Sequence, residues 1–320
     1  MRYLRFLTAW LAVGALVFTT AQAQSNYPAK PVRIIIPFTP GSSPDVIMRL
    51  VTPKLSEQLG QQFIVENRTG AAGIVGSRAV ASAEPDGYTL KYTIYSTITA
   101  NPHLYSNLPY DPWKSFAPIS LMVSFGYIVM ASNKSGLKDF KELLAAAKAQ
   151  PGKLNFASAG QGAGNHVSME MLKQMVNIDI THIPSRDSAV SMASGETDVA
   201  LVPYSTGVPL VRSGRTRALA VTLDRRLPAL PDVPTVAEFV PGYYADVWHG
   251  LFAPAGTPPA IVERLSAETA KALKQEDVRK RLADIGVDPV GSTPQEFAEK
   301  IRADLEKWGR VIRAANIKPD

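Results

Sequence analysis

Along this chain, short β-branched runs alternate with stretches whose apolar residues recur every three or four positions. The first pattern marks strands and the second amphipathic helices. The spacing predicts strands at Val32–Pro37, Phe63–Glu66, Tyr88–Ile94, Ile119–Val123, Tyr127–Ala131, Leu154–Ala157, Ile180–Ile183, Asp198–Val202, Arg217–Thr222 and Val247–Ala253. It predicts helices at Pro44–Leu59, Gly73–Ala83, Leu137–Ala149, Asn165–Val176, Ser188–Ser194, Tyr204–Arg212, Pro258–Leu273 and Pro294–Ala315. Strand–helix alternation of this kind gives α/β domains with mostly parallel sheets. Pro53 falls inside the first helix, where an interior proline costs about 3 kcal/mol. Leu50, Leu55 and Leu59 continue the apolar face beyond it, so a bend is expected there rather than an end.

Residues 1–23 stand apart from this alternation. Arg2 and Arg5 accompany an apolar run from Leu4 to Phe18, and Ala21-Gln22-Ala23 has the small-residue form of a cleavage site. That is a secretory signal peptide. The run falls short of the ~20 apolar residues that span a bilayer. Cleavage after Ala23 would release a soluble, exported chain starting at Gln24. The formal charge of +6 falls by two once Arg2 and Arg5 leave. No basic stripe with interleaved aromatics occurs, which argues against nucleic acid as a partner. The absence of cysteine excludes disulfides, thiolate nucleophiles and Cys-ligated metals.

Proline and glycine cluster at Asn101–Pro118 and at Arg225–Tyr244, each just before an apolar strand. Two such crossings suit a chain that leaves one domain, builds a second and returns. The expected division is 24–123 in domain 1, 124–248 in domain 2, and 249–320 back in domain 1 with the C-terminal helices. Ile119–Val123 and Val247–Phe252 would then be the hinges, and the cleft between the domains the ligand site.

Candidate chemistry is sparse. His103, His166, His182 and His249 form no H-x-x-x-H or H-E-x-x-H pattern, so no metal site is expected. No G-x-S-x-G elbow occurs. Ser42 and Ser43 follow a glycine without a marked histidine or acid partner, although a triad assembled in space stays open. In "SAGQGAGNH" the glycines at 160, 162 and 164 miss the dinucleotide spacing, because position 165 is asparagine. No Lys-Ser/Thr pair makes it a phosphate loop. What remains are strand–turn–helix junctions: "PFTPGSSPD" (37–45), "ENRTGAAGIVGS" (66–77) and "SAGQGAGNH" (158–166). Each is either a plain connection or a place where free helix N-terminal N–H groups meet an anion.

Longer motifs bear on that choice. "YPAKPVRIIIPFTPG" (27–41), "VENRTGAAG" (65–73), "PDGYTL" (85–90), "NPHLY" (101–105) and "LPYDPWKSFAPI" (108–119) resemble the Bug receptors, the extracytoplasmic solute receptors of tripartite tricarboxylate transporters. So do "PGKLNFASAGQGAGNH" (151–166), "RALAVT" (217–222), "LPDVPTVAEF" (230–239) and "WHGLFAPAGTP" (248–258). The resemblance implies a two-domain periplasmic-binding-protein fold that closes on a small organic acid and delivers it to a membrane permease. It implies a monomer without catalysis, cofactor or metal. The carboxylate would be gripped by one loop per domain. These loops map onto Phe38–Asp45, with Phe38, Thr39, Gly41, Ser42, Ser43 and Asp45, and onto Ser158–His166, with Ser158, Ala159, Gly160, Gly162 and His166. Gly73 is expected to line the same cleft.

Two departures stand out. Thr39 and Ser42 replace a proline and a glycine of the usual first loop and add hydroxyl donors. "HIPSRDS" places Ser185, Arg186 and Asp187 where the family commonly has Tyr-Lys-Gly. Arg186 either holds a second carboxylate bidentately or is solvated or neutralised by Asp187. The first alternative makes the ligand a dicarboxylate, aliphatic or aromatic. The competing functions are an exported hydrolase using Ser42 or Ser43, and a ligand-sensing receptor for a signalling partner.

Overall fold

The computed structural model describes residues 27–185 and 187–318. The leader (1–23) and Arg186 lie outside the described residues. The chain opens with β1 (Val32–Ile36), α1 (Ser43–Leu59), β2 (Phe63–Asn67), α2 (Ile74–Ala81) and β3 (Thr89–Ile94). β1 lies between β2 and β3 and runs parallel to both. α1 forms because Pro44 starts it, Gly60 ends it in the left-handed conformation, and Ile47, Met48, Val51, Leu55 and Leu59 make one buried face. The helix is continuous across Pro53, whose ring lies on the exposed side.

After the short helices α3 (Ser96–Thr99) and α4 (Asn101–Leu104), the chain enters β4 (Phe116–Ser132). This single 17-residue strand absorbs both expected strands, Ile119–Val123 and Tyr127–Ala131. The residues between them, Ser124–Gly126, stay paired with Trp248–Asp246. A second alternating run follows: α5 (Phe140–Ala149), β5 (Asn155–Ser158), α6 (Gly164–Val176), β6 (Thr181–Pro184), α7 (Ser188–Ser194), β7 (Val199–Pro203), α8 (Tyr204–Arg212) and β8 (Thr216–Val221). Here β5 is parallel to β6 and β7. The chain returns through β9 (Asp246–Pro254), α9 (Pro259–Lys274), α10 (Glu276–Asp284), β10 (Asp288–Pro289) and α11 (Pro294–Ala314).

The expected α/β architecture is present, with one refinement. The strand order β2-β1-β3-β9-β4-β7-β5-β6 forms one continuous path, with β8 and β10 also on β4. Two parallel triplets are joined by antiparallel β9 and β4. β4 belongs to both halves: through Gly126 it pairs with β9, and from Tyr127 onward with β7 and β8. That moves the crossing. Ile119–Val123 and Val247–Phe252 were expected as hinges, but they lie in the same first-half ladder, Leu121 opposite Gly250 and Val123 opposite His249. The exchange of partners falls at Gly126–Tyr127 and at Asp246, the first residue of β9.

A third element also ties the halves together. α11 begins with a Thr293–Glu296 capping box and buries Phe297, Ile301, Trp308 and Ile312. Its Leu305 carbonyl lies 2.8 Å from His103 Nε2 at the end of α4, and its Val311 carbonyl accepts from Gln174 on α6 at 3.1 Å. Trp248 donates to Asp304 at 2.6 Å beside the crossing.

Candidate ligand-binding site

The loop from Phe38 to Asp45 is held from behind by one carboxylate. Asp45 is 3% exposed. It accepts the Gly41 N–H at 2.9 Å, Asn67 Nδ2 at 2.9 Å and Arg49 Nε at 3.0 Å. Asn67 also donates to the Phe38 carbonyl at 3.0 Å. Burial alone would raise the Asp45 pKa, but the hydrogen bonds from Arg49, Gly41 and Asn67 outweigh it and hold the carboxyl below its ordinary value. Ser42 turns its hydroxyl back onto the Thr39 carbonyl at 2.6 Å. No side chain caps the first turn of α1. Thr39, Gly41 and Ser43 are exposed, and of that first turn Ser43 and Asp45 carry N–H groups whereas Pro44 has none.

The turn at 70–73 packs under this loop. Gly70, Ala71, Ala72 and Gly73 all have positive φ, a conformation that alanine rarely adopts and that marks a backbone held for a purpose. A methyl on Gly73 would lie 2.8 Å from Thr97 Cγ2 and 3.4 Å from Pro37 Cβ, so only glycine brings this turn against Phe38 and α3. Asn101 on α4 fixes the Ala72 carbonyl at 3.1 Å.

In the second half, the turn from Ser158 to His166 is also braced from within. Ser158 is fully buried, and its hydroxyl contacts the Gly160 carbonyl at 3.0 Å, the Gly160 N–H at 3.2 Å and His182 Nε2 at 2.6 Å. Together these contacts fix the turn. His166 Nδ1 accepts the Gly162 N–H at 3.0 Å, which leaves its proton on Nε2, and its ring stacks on His182 at 3.7 Å. Burial, together with His182 and Lys173, pulls the His166 pKa down to about 3. Asn165 Oδ1 accepts the Ala159 N–H at 3.2 Å. The first turn of α6, like that of α1, has no side-chain cap. Ala159 is exposed at the tip.

The two turns meet a common segment. A methyl on Gly162 would overlap Leu104 Cδ1 on α4, and one on Gly164 would overlap the Tyr95 hydroxyl. Tyr95–Leu104 therefore touches the second-half turn, while its Thr97 and Asn101 hold the 70–73 turn of the first half. The structure thus gathers Phe38, Thr39, Gly41, Ser42, Ser43, Asp45 and Gly73 on one side, and Ser158, Ala159, Gly160, Gly162 and His166 on the other. Ser185 lies beside the second set, its N–H bonded to the Ser158 carbonyl at 2.9 Å. Asp187 spends its carboxylate capping α7, accepting from Ala189 and Val190. Asn67, Tyr95, Asn101, Leu104, Asn165 and His182 enter the site without having been foreseen. The motifs around 67, 101 and 165 were visible, but their contacts span separations that no local pattern shows. A cavity of about 620 Å³ lies elsewhere, between α8, the 223–229 loop and 283–288. It shares no residue with these turns.

Residues 47–317 match the model of the tripartite tricarboxylate transporter family receptor. The chain belongs to this receptor family. The "UPF0065 protein in tcbD-tcbE intergenic region" of Pseudomonas sp. strain P51 is 38% identical over 312 residues, 94% of this chain and 92% of that protein. Rpa4515 of R. palustris, solved with adipate, superposes with a TM-score of 0.80 at 31% identity, covering 92% of this chain and all of that one. MatC (Rpa3494) of Rhodopseudomonas palustris, solved with bound malate, gives 0.76 at 32% identity over 89% of this chain and all of that one. The resemblance read from the motifs and the family match agree. Among the described residues, no helix of this receptor is long and apolar enough to cross a membrane, and no group of three or more His, Cys, Asp or Glu residues is placed to hold a metal ion.

Proposed function

We propose that this receptor captures a small dicarboxylate in the periplasm and presents it to the membrane permease of a tripartite tricarboxylate transporter. The observation that carries the proposal is the pair of uncapped helix N-termini, α1 in one half and α6 in the other. Their loop side chains are already engaged in bracing. N–H groups and positive partial charge are what such turns offer a carboxylate. Adipate and malate in the two related structures support an acid with two carboxyl groups. The two halves act as domains, the first completed by residues after Asp246, and they close about Gly126–Tyr127. Arg186 reads the distal carboxylate. Export depends on the leader before Gln24, and the receptor works as a monomer.

A hydrolase reading finds no support at Ser42, whose hydroxyl is turned onto Thr39. A thermal-shift screen across aliphatic and aromatic mono-, di- and tricarboxylates, followed by mass analysis of the recovered ligand, tests the proposal. A dicarboxylate should raise Tm and be recovered unchanged. Chemical conversion of the acid, or no stabilisation by any acid, would overturn it.

A further inference from the structure

One buried polar group has no place in the account so far. Tyr95 stands between β3 and α3 and is 1% exposed. Its hydroxyl has no hydrogen-bond partner among the described residues. The Tyr127 hydroxyl is close enough to raise its pKa by charge and by weak hydrogen bonding, but the two do not meet in full hydrogen-bond geometry. A buried hydroxyl left unpaired is destabilising relative to a phenylalanine of the same shape. Its retention at this point calls for a partner that arrives later.

The direction of the hydroxyl identifies that partner. A methyl on Gly164 would overlap the Tyr95 hydroxyl and lie 2.6 Å from that of Tyr127. Cα–Cβ bonds in a helix lean toward its N-terminus. A group standing where the Gly164 Cβ would be therefore stands beside the first turn of α6. That helix has 13 residues and no side-chain cap, so its first N–H groups are free to meet an anion. A hydroxyl donor and free N–H donors lie at one place, and among the described residues none accepts from the hydroxyl in full hydrogen-bond geometry.

We propose that Tyr95 contacts the ligand, its O–H donating to the carboxylate seated on the N-terminus of α6. This rests on the reading of that turn as a carboxylate site. Tyr95 belongs to the first half and α6 to the second, so the bond forms only when the halves are together, and it ties the bound acid to the closed form. Burial pushes the Tyr95 pKa well above its ordinary value, with Tyr127, Asp246 and Asp304 adding to the effect. The phenol therefore keeps its proton and donates at any physiological pH. Leu104, packed on Gly162, fills the next position along the same seam.

The test is Tyr95→Phe, which removes the oxygen and keeps the shape. Wild type and variant are titrated calorimetrically with succinate, malate, glutarate, adipate and phthalate, and the ligand-free Tm of each is measured. The expected result is about 10- to 150-fold weaker binding, the range of a hydrogen bond to a charged group, with a ligand-free Tm equal to or above wild type. Equal affinity in the two proteins overturns the inference and leaves the receptor reading intact. Weaker binding with a ligand-free Tm several degrees lower also overturns it, because the hydroxyl would then be structural. If wild type binds none of the five acids, the dicarboxylate reading fails and this inference falls with it.

Discussion

Asp45→Ala isolates the bracing of the first turn. The carboxylate receives three donors, from Gly41, Asn67 and Arg49, at 2.9, 2.9 and 3.0 Å. The losses are unequal. Arg49 is half exposed and Gly41 is exposed, so water replaces much of what they lose. Asn67 keeps its bond to Phe38. A hydrogen bond to a charged group contributes about 1.5–3 kcal/mol, so with two of the three donors re-solvated the cost should be about 2 kcal/mol. For a chain of this size that is a fall in Tm of roughly 3 °C. Ligand affinity should fall as well, because the α1 turn is no longer pre-organised. Asp45→Asn keeps the shape and one acceptor and should lose about half as much. The pH dependence gives a second check. The folded pKa of Asp45 lies below its ordinary value, so its contribution is fully present above about pH 4 and is lost as pH falls through the folded pKa. The Tm gap between wild type and Asp45→Ala should therefore be widest near neutrality and close in acid. A gap under 1 °C at pH 7, or one that does not narrow in acid, would refute the bracing argument.

Other outcomes follow from the same geometry. Ser42 is only half buried, so Ser42→Leu should weaken binding by tenfold or more with Tm unchanged in differential scanning fluorimetry. Ser158 is fully buried and bonded to His182, so Ser158→Leu should instead lower Tm strongly, and a stable Ser158→Leu protein would contradict its assignment as an internal brace. Arg186→Ala should weaken a dicarboxylate by about 10- to 150-fold and leave its monocarboxylate analogue almost unaffected, with lysine restoring only part; equal effects on both acids would remove Arg186 from the site. His166 and His249 are each held neutral, with pKa values near 3. Their folded values lie below the ordinary 6.5, so the stability they protect is complete above pH 6.5 and falls as pH drops toward 3, by about 1.4 kcal/mol per unit for each. Urea titrations at pH 7.5, 6 and 5 should show that decline, and a flat profile would count against buried neutral histidines.

Much of this architecture could be read from local pattern. α1 and α7 were found close to their ends because proline, glycine or serine signals coincide with an apolar face. α10 was missed because it buries only Val278 and Leu282, too few for a periodic signal. The two expected strands of β4 fused because Ser124–Gly126 breaks the apolar run without breaking the ladder. The site was legible as loops and not as roles. Asp45, Ser158 and His166 were read as lining the ligand site, and the structure adds that the side chain of each fixes its own turn. Such bonds depend on Asn67 and His182, which come near only through the sheet order, and one sequence carries no record of that.

The central claim is that two helix N-termini, one from each half, hold the carboxylate. A crystal structure of the complex with the dicarboxylate that gives the largest thermal shift tests it most directly. The account predicts carboxylate oxygens within about 3.2 Å of first-turn N–H groups of α1 and α6, with the Tyr95 hydroxyl beside the latter. An acid found instead in the cavity between α8 and residues 283–288, or held by side chains with both helix N-termini unengaged, would contradict it.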